Sequence, residues 1–248
     1  MFEILNKILN RKSPVIQELK GLEGFLKNQH WNNRVTIDEA KRNLEESLVE
    51  IDRYKIKPVN NMKSVADITS GRSKGFQITH EGHILTAAHC VNGNGWNTKI
   101  ITRQGRHYPL QKVCLYDNRY DIALIKVYIE EDSAPRVYPF YNGITKLYTP
   151  CVCLRLEDED VKINGCMSLG QIKSVRYQDS DEKISIKEEP LMFSGNIKPG
   201  DSGSPIVTSD GKLIGIATGY DKGIISGPHI NKALELISRY IAQEKNII

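Results

Sequence analysis

The chain has 248 residues, of which 40% are hydrophobic and 26% charged, with a formal net charge of +4. That balance is ordinary for a globular protein and too weakly basic to argue for nucleic-acid binding. No apolar run approaches a membrane span, and Met1 to Lys12 lack the apolar core and cleavage site of a signal peptide.

Residues 1–60 predict an N-terminal helical segment. Ser13-Pro14 reads as a helix start, with Ile16, Leu19, Leu22 and Leu26 at helical spacing behind it. Thr36-Ile37-Asp38-Glu39 is a capping box. It opens a second helix whose stripe is Ile37, Ala40, Leu44, Leu48 and Ile51, ending at Lys57-Pro58. Such a hairpin cannot bury its own stripe, so it is expected to dock on the rest of the chain or on a regulatory partner.

From Gly71 the pattern becomes short strands with turns between them. Gly75–Thr79 and His83–Ala87 flank His80-Glu81-Gly82 as a hairpin, followed by Thr98–Arg103, Arg106–Tyr116 and Ile122–Tyr128. Glu130–Gly143 reads as a loop crossing between two halves. Cys151–Leu156, Met167–Tyr177, Lys183–Lys187, Leu191–Phe193, Pro205–Thr208 and Lys212–Thr218 form a second group of strands. Glu157-Asp158-Glu159-Asp160 reads as a solvated loop between strands. A final helix over 230–243, with Asn231 as its cap, carries Ala233, Leu234, Leu236, Ile237 and Ile241. The pattern is mainly β, of barrel or sandwich type.

Five cysteines, Cys90, Cys114, Cys151, Cys153 and Cys166, include no Cys-x-x-Cys pair. They read as reduced thiols packed as small hydrophobes, which favours a reducing, cytoplasmic setting.

Three stretches carry chemistry. Gly200-Asp201-Ser202-Gly203-Ser204-Pro205 sets a serine among turn-forming residues before a β-branched run. A sharp turn there exposes a hydroxyl and gathers N–H groups, as a nucleophile and oxyanion hole require. Thr86-Ala87-Ala88-His89-Cys90 places a histidine just after a strand. Asp121-Ile122-Ala123-Leu124 puts an acid at the head of an apolar strand, where a buried carboxylate needs a partner. An imidazole fits that need and leaves its second nitrogen for the Ser202 proton.

Taken in that His–Asp–Ser order, T-A-A-H-C, D-I-A-L and G-D-S-G-S-P resemble the trypsin/chymotrypsin-like serine peptidases over roughly residues 71–245. The resemblance implies two six-stranded antiparallel β-barrels, the first over about 71–130 and the second over about 145–228, within a peptidase domain at 61–248. It implies a His89–Asp121–Ser202 triad between them, with the Gly200 and Ser202 amides as oxyanion hole and a protein or peptide as substrate. No cofactor is implied. His80, His83 and His89 do not match a usual zinc spacing.

The chain departs from secreted members of that family. No cysteine stands near Phe76-Gln77 to bridge Cys90. No Ile-Val-Gly-Gly-like activation site precedes the first barrel to supply an N-terminus for Asp201. Ser204 replaces the usual second glycine. These features look more like the disulfide-free bacterial branches, the glutamyl-endopeptidase-like and HtrA-like enzymes, though without a trailing PDZ module.

By alignment Asn196 takes the pocket-floor position, and Ala217-Thr218-Gly219-Tyr220 the strand that pairs with substrate. Tyr220 stands where a glycine usually opens the pocket. The aligned residues give no support to Arg/Lys or Glu preference, and His229 reads as a helix-start residue. Two further readings stay open: a non-catalytic binding protein on this fold, and a latent enzyme controlled through its N-terminal helices.

Overall fold

The computed structural model describes residues 14–27, 37–57, 67–91, 97–128, 146–178 and 184–246. The capping residues Ser13 and Thr36 and the Glu130–Gly143 loop lie outside those residues. Two helices come first, α1 (Pro14–Lys27) and α2 (Ile37–Ser47).

The second helix stops at Ser47, ten residues before the expected end. Leu48–Lys57 is instead strand β1, paired antiparallel with β2 (Asp67–Gln77) and with β4 (Asn97–Thr102). The reason is visible in the residues. Leu48 and Ile51 fit a helical stripe, but Val49 and Ile51 also alternate, and β-branched and aromatic side chains continue to Ile56. Pairing on both edges decides the conflict, because β1 closes the barrel. The order is β1-β2-β3-β6-β5-β4, with β3 (His83–Thr86), β5 (His107–Asp117) and β6 (Ile122–Val127). Residues 48–57 thus belong to the first barrel, whose interior holds Val49, Ile51, Ile84, Ile100, Ile125 and Val127.

The second half is a curled seven-stranded sheet in the order β13-β12-β7-β8-β11-β15-β14. Its strands are β7 (Pro150–Glu157), β8 (Asp160–Gln171), β11 (Leu191–Gly195), β12 (Pro205–Thr208), β13 (Leu213–Ile216), β14 (Gly219–Asp221) and β15 (Ile224–Gly227). The expected Met167–Tyr177 strand is divided. Its C-terminal part is β9 (Ser174–Gln178), which pairs with β10 (Ile184–Glu188) as a separate ribbon. Within the acidic run, Asp158 and Glu159 form a two-residue hairpin turn at positive φ, 49° and 68°. Glu157 is not merely solvated, since it pairs with Lys198 and Arg155.

Helix α3 (Ile230–Lys245) closes the chain. Its cap is His229 and not Asn231: the His229 Nδ1 accepts the Asn231 N–H at 3.0 Å. The imidazole does the work of an Asx cap, which leaves Asn231 inside the first turn. One apolar cluster joins the parts. Leu19, Leu22 and Phe25 of α1 pack with Leu234, Ile237 and Ile241 of α3 and with Phe76, Leu85 and Leu154 of the two sheets. Glu23 pairs with Lys245 along the same seam. Among the described side chains of the helical stripes, Leu19, Leu22 and Leu44 are thus buried against this chain's own body.

Candidate active site

Each of the three motifs sits at the end of a rigid element. His89 lies in a 3-10 turn, Ala88–Cys90, that follows β3. Asp121 immediately precedes β6 and has φ 59°, a left-handed conformation that aspartate tolerates better than most residues. Ser202 lies in the loop that enters β12.

The first two are firmly joined. Asp121 accepts the His89 backbone N–H at Oδ1 (3.0 Å) and faces His89 Nδ1 with Oδ2 (2.8 Å). The carboxylate is 3% exposed and the imidazole 43%. Asp121 covers the Nδ1 edge of the ring, and the imidazole as a whole remains partly exposed. Burial alone pulls the His89 pKa down, but the Asp121 hydrogen bond, then Cys90, outweigh it and the group is pushed up to about 10. Burial likewise pushes the Asp121 carboxyl up, and the bonds from His89 and the charge of Lys187 reverse this, holding it below the usual range. Both shifts run in the direction that favours a carboxylate beside a protonated imidazole.

The serine loop is tied to the first barrel. Lys74 N–H of β2 donates to Ser202 O (2.7 Å), and Thr86 Oγ1 of β3 donates to Lys74 O (2.6 Å). Gly203 sits on that crossing with φ +92°, where a Cβ would fall 1.8 Å from Lys74 O. Gly200, at φ +96°, approaches Arg72 O. Among the described residues, the Gly200 and Ser202 amides and the Ser202 hydroxyl make no hydrogen bond, while the neighbouring Asp201, Gly203 and Ser204 amides are all engaged. The two open amides are the pair expected from the sequence as an oxyanion hole.

The Ser202 hydroxyl is not bonded to His89 among these residues. The imidazole Nε2 instead lies 3.7 Å from Cys90 Sγ, and that thiol also reaches Ser202 O at 3.6 Å. Cys90 is fully buried between the two chemical groups.

Asp201 finds its partner inside the chain. Arg155 Nη1, from β7, lies 2.5 Å from Asp201 Oδ2, and the Lys198 N–H donates to the same oxygen at 2.8 Å. Asp201 N–H returns to Lys198 O (3.0 Å), closing the 198–201 turn. Arg155 also pairs with Glu157, which pairs with Lys198. A cavity of about 210 Å³ lies alongside, lined by Glu50, Lys74, Glu157, Lys198, Gly200 and Asp201.

The expected pocket residues meet as well. Tyr220 Oη donates to Asn196 Oδ1 at 2.9 Å. Thr218 is buried against Ser226, and Gly219 opens β14, the outer strand of the sheet. Ala217 is fully buried, and His229 serves the helix cap away from these groups. His83 is buried against Thr79 Oγ1 (2.7 Å) and is a core histidine.

Sequence reasoning missed Arg155, Lys187 and the contact role of Cys90. Arg155 carries one signal in hindsight: a cation two residues before the acidic Glu157–Asp160 run, inside an apolar strand.

Comparison with known proteins agrees with this fold. The trypsin-like peptidase domain family matches residues 73–216. The Rv3671c protease from M. tuberculosis in its active form is similar in structure, with a TM-score of 0.63, 18% identity, and coverage of 84% of this chain and 87% of that one. The HtrA-type protease AlgW, with a decapeptide, is similar at a TM-score of 0.63 and 17% identity, covering 85% of this chain and 69% of that one. No helix among the described residues is long and apolar enough to cross a membrane. With the match spanning more than half of its length, the chain belongs to the trypsin-like peptidase domain family.

Proposed function

We propose that the chain is a serine endopeptidase acting through His89, Asp121 and Ser202. The observation that carries this reading is the double hydrogen bond of His89 to Asp121, 3.0 Å and 2.8 Å, beside a glycine-turned loop that presents Ser202. Neutral His89 takes the Ser202 proton at Nε2 as the hydroxyl oxygen attacks the scissile carbonyl carbon. The carbonyl oxygen gains charge and is received by the Gly200 and Ser202 N–H groups. The imidazolium then hands its proton to the leaving amine, giving an acyl-serine that water hydrolyses by the same relay in reverse.

Substrate would extend along Gly219–Asp221. That strand pairs with β15 on one side and is terminal in the sheet, so its other edge can add an extended peptide. Thr218 positions its start. The Asn196–Tyr220 hydrogen bond spans the expected side-chain pocket and favours small residues there. All five thiols are free, which fits a reducing, cytoplasmic setting.

A latent resting state is favoured by a specific observation. His89 Nε2 faces Cys90 Sγ instead of Ser202 Oγ, and its raised pKa keeps it protonated near neutrality. Leu19, Leu22 and Phe25 are buried in this chain, so on the described part of α1 a regulatory partner would meet the outer face of the helix.

Digestion of a proteome-derived peptide library with the parent chain and with Ser202→Ala tests the reading. Internal cleavage by the parent and none by the variant is expected. Equal cleavage by both overturns it.

A further inference from the structure

The ribbon β9–β10 belongs to the second half, yet its end reaches the acid of the first barrel. Lys187 on β10 is 7% exposed, and its Nζ lies 3.7 Å from Asp121 Oδ1. The same ammonium donates to Asn118 O and Asn118 Oδ1, both at 3.0 Å. The next residue repeats the attachment through backbone, with Glu188 N–H donating to Arg119 O at 2.9 Å. The loop that carries Asp121 is thus clamped by three bonds and one ion pair from a single strand end. A lysine is seldom buried unless its charge is matched, and here the matching charge is Asp121.

We propose that Lys187 is a positioning residue for the triad: it holds the Asp121 carboxylate in register with His89 and limits how strongly that carboxylate retains the imidazole proton. The proposal rests on the peptidase reading for its purpose. The charged groups around the pair are few. His89 and Cys90 face it from the 3-10 turn and Lys187 from β10, Arg53 of β1 donates to His89 O at 3.0 Å, and Asp117 turns to Arg119 at 3.1 Å. Without Lys187, Asp121 has one cation left to neutralise, the imidazolium. His89 would hold its proton more tightly and become a poorer base at neutral pH.

The test is the NMR titration of His89 in a Ser202→Ala background, with the resonance assigned through His89→Gln. Lys187→Met should move the His89 midpoint upward by about one pH unit, and Lys187→Arg should restore most of the parental value. Lys187→Gln keeps a donor toward Asn118 and removes the charge, so it serves if the methionine variant does not fold; it should give the same upward shift. A folded Lys187→Gln or Lys187→Met chain whose His89 midpoint is unchanged overturns the proposal. This titration needs no turnover. A shifted midpoint, where the parent chain that retains Ser202 cleaves nothing, overturns the peptidase reading and leaves the Lys187 assignment standing.

Discussion

Arg155 Nη1 and Asp201 Oδ2 lie 2.5 Å apart, with the arginine 13% and the aspartate 1% exposed. This pair supplies what the motif left open, the cation that holds the residue next to Ser202. Asp201 also accepts the Lys198 amide, so one carboxylate fixes both ends of the turn that contains Gly200. Removing one partner of a buried pair strands the other charge and typically costs about 3–5 kcal/mol. Arg155→Met is therefore expected to lower Tm sharply. If it stays folded, the freed Asp201 lets the Gly200 turn relax and kcat falls with little change in KM. Arg155→Lys restores part of kcat. Thermal denaturation and steady-state kinetics check this.

Gly203 answers to two constraints at once, a φ of +92° and a carbonyl 1.8 Å from where a Cβ would stand. The carbonyl cannot give without moving Lys74, whose amide anchors Ser202 O. Gly203→Ala should cost about 3 kcal/mol or more and remove activity even where the chain folds. Denaturant titration and peptide hydrolysis on the same sample separate the two effects.

The elements split clearly by how far they could be read in the residues. Both hairpin strands around His80–Gly82, the β6 run after Asp121, and the loop of Ser202 are local patterns of turn and alternation, and the structure has them there. Strand β1 looks helical in the residues because Leu48 and Ile51 suit both periods, and only pairing with β2 and β4 separates them. Gly219–Tyr220 of strand β14 is placed only by the resemblance, as the substrate-pairing strand, and β15 is not read at all, because Ile224–Gly227 is a short run that stops before Pro228 with no alternation. The same holds for the site. His89, Asp121 and Ser202 stand in motifs, whereas Arg155 and Lys187 meet their partners across 46 and 66 residues; only Arg155 carries a local hint, its place in an apolar strand just before the acidic run, and that hint does not name Asp201.

The His89 pKa, raised from 6.5 to about 10, has two consequences of opposite sense. For stability, the raised histidine contributes fully below about 6.5, and its contribution fades as pH climbs through about 10. Asp121 acts at the other end, losing its contribution as pH falls through its lowered pKa. For catalysis the protonated ring is useless as a base, so kcat/KM should rise above neutrality by up to about tenfold per pH unit. Cys90→Ala removes one of the groups that raise the histidine and should move this limb to lower pH. A pH–rate profile of both chains checks it.

Tyr220 and Asn196 close the expected pocket through their 2.9 Å bond. Tyr220→Gly should open it and shift cleavage toward larger residues, raising kcat/KM for them about tenfold or more relative to small ones. Tyr220→Phe loses only the bond and should shift preference far less. Cleavage-site profiling of the three chains measures the change.

The docked helices bear on how regulation is probed. Deleting residues 1–60 would remove β1 and open the first barrel, so loss of activity there would say nothing about control. Glu23→Ala, which releases the seam to Lys245 and leaves every strand in place, is the cleaner perturbation.

The most direct test of the central claim is intact-mass and peptide mapping after incubation with a fluorophosphonate, across pH 7 to about 10 where His89 loses its proton. One adduct per chain on Ser202, faster as pH rises and absent in His89→Gln, is the expected result. No adduct at any pH in a folded chain, or an adduct on another residue, would contradict it.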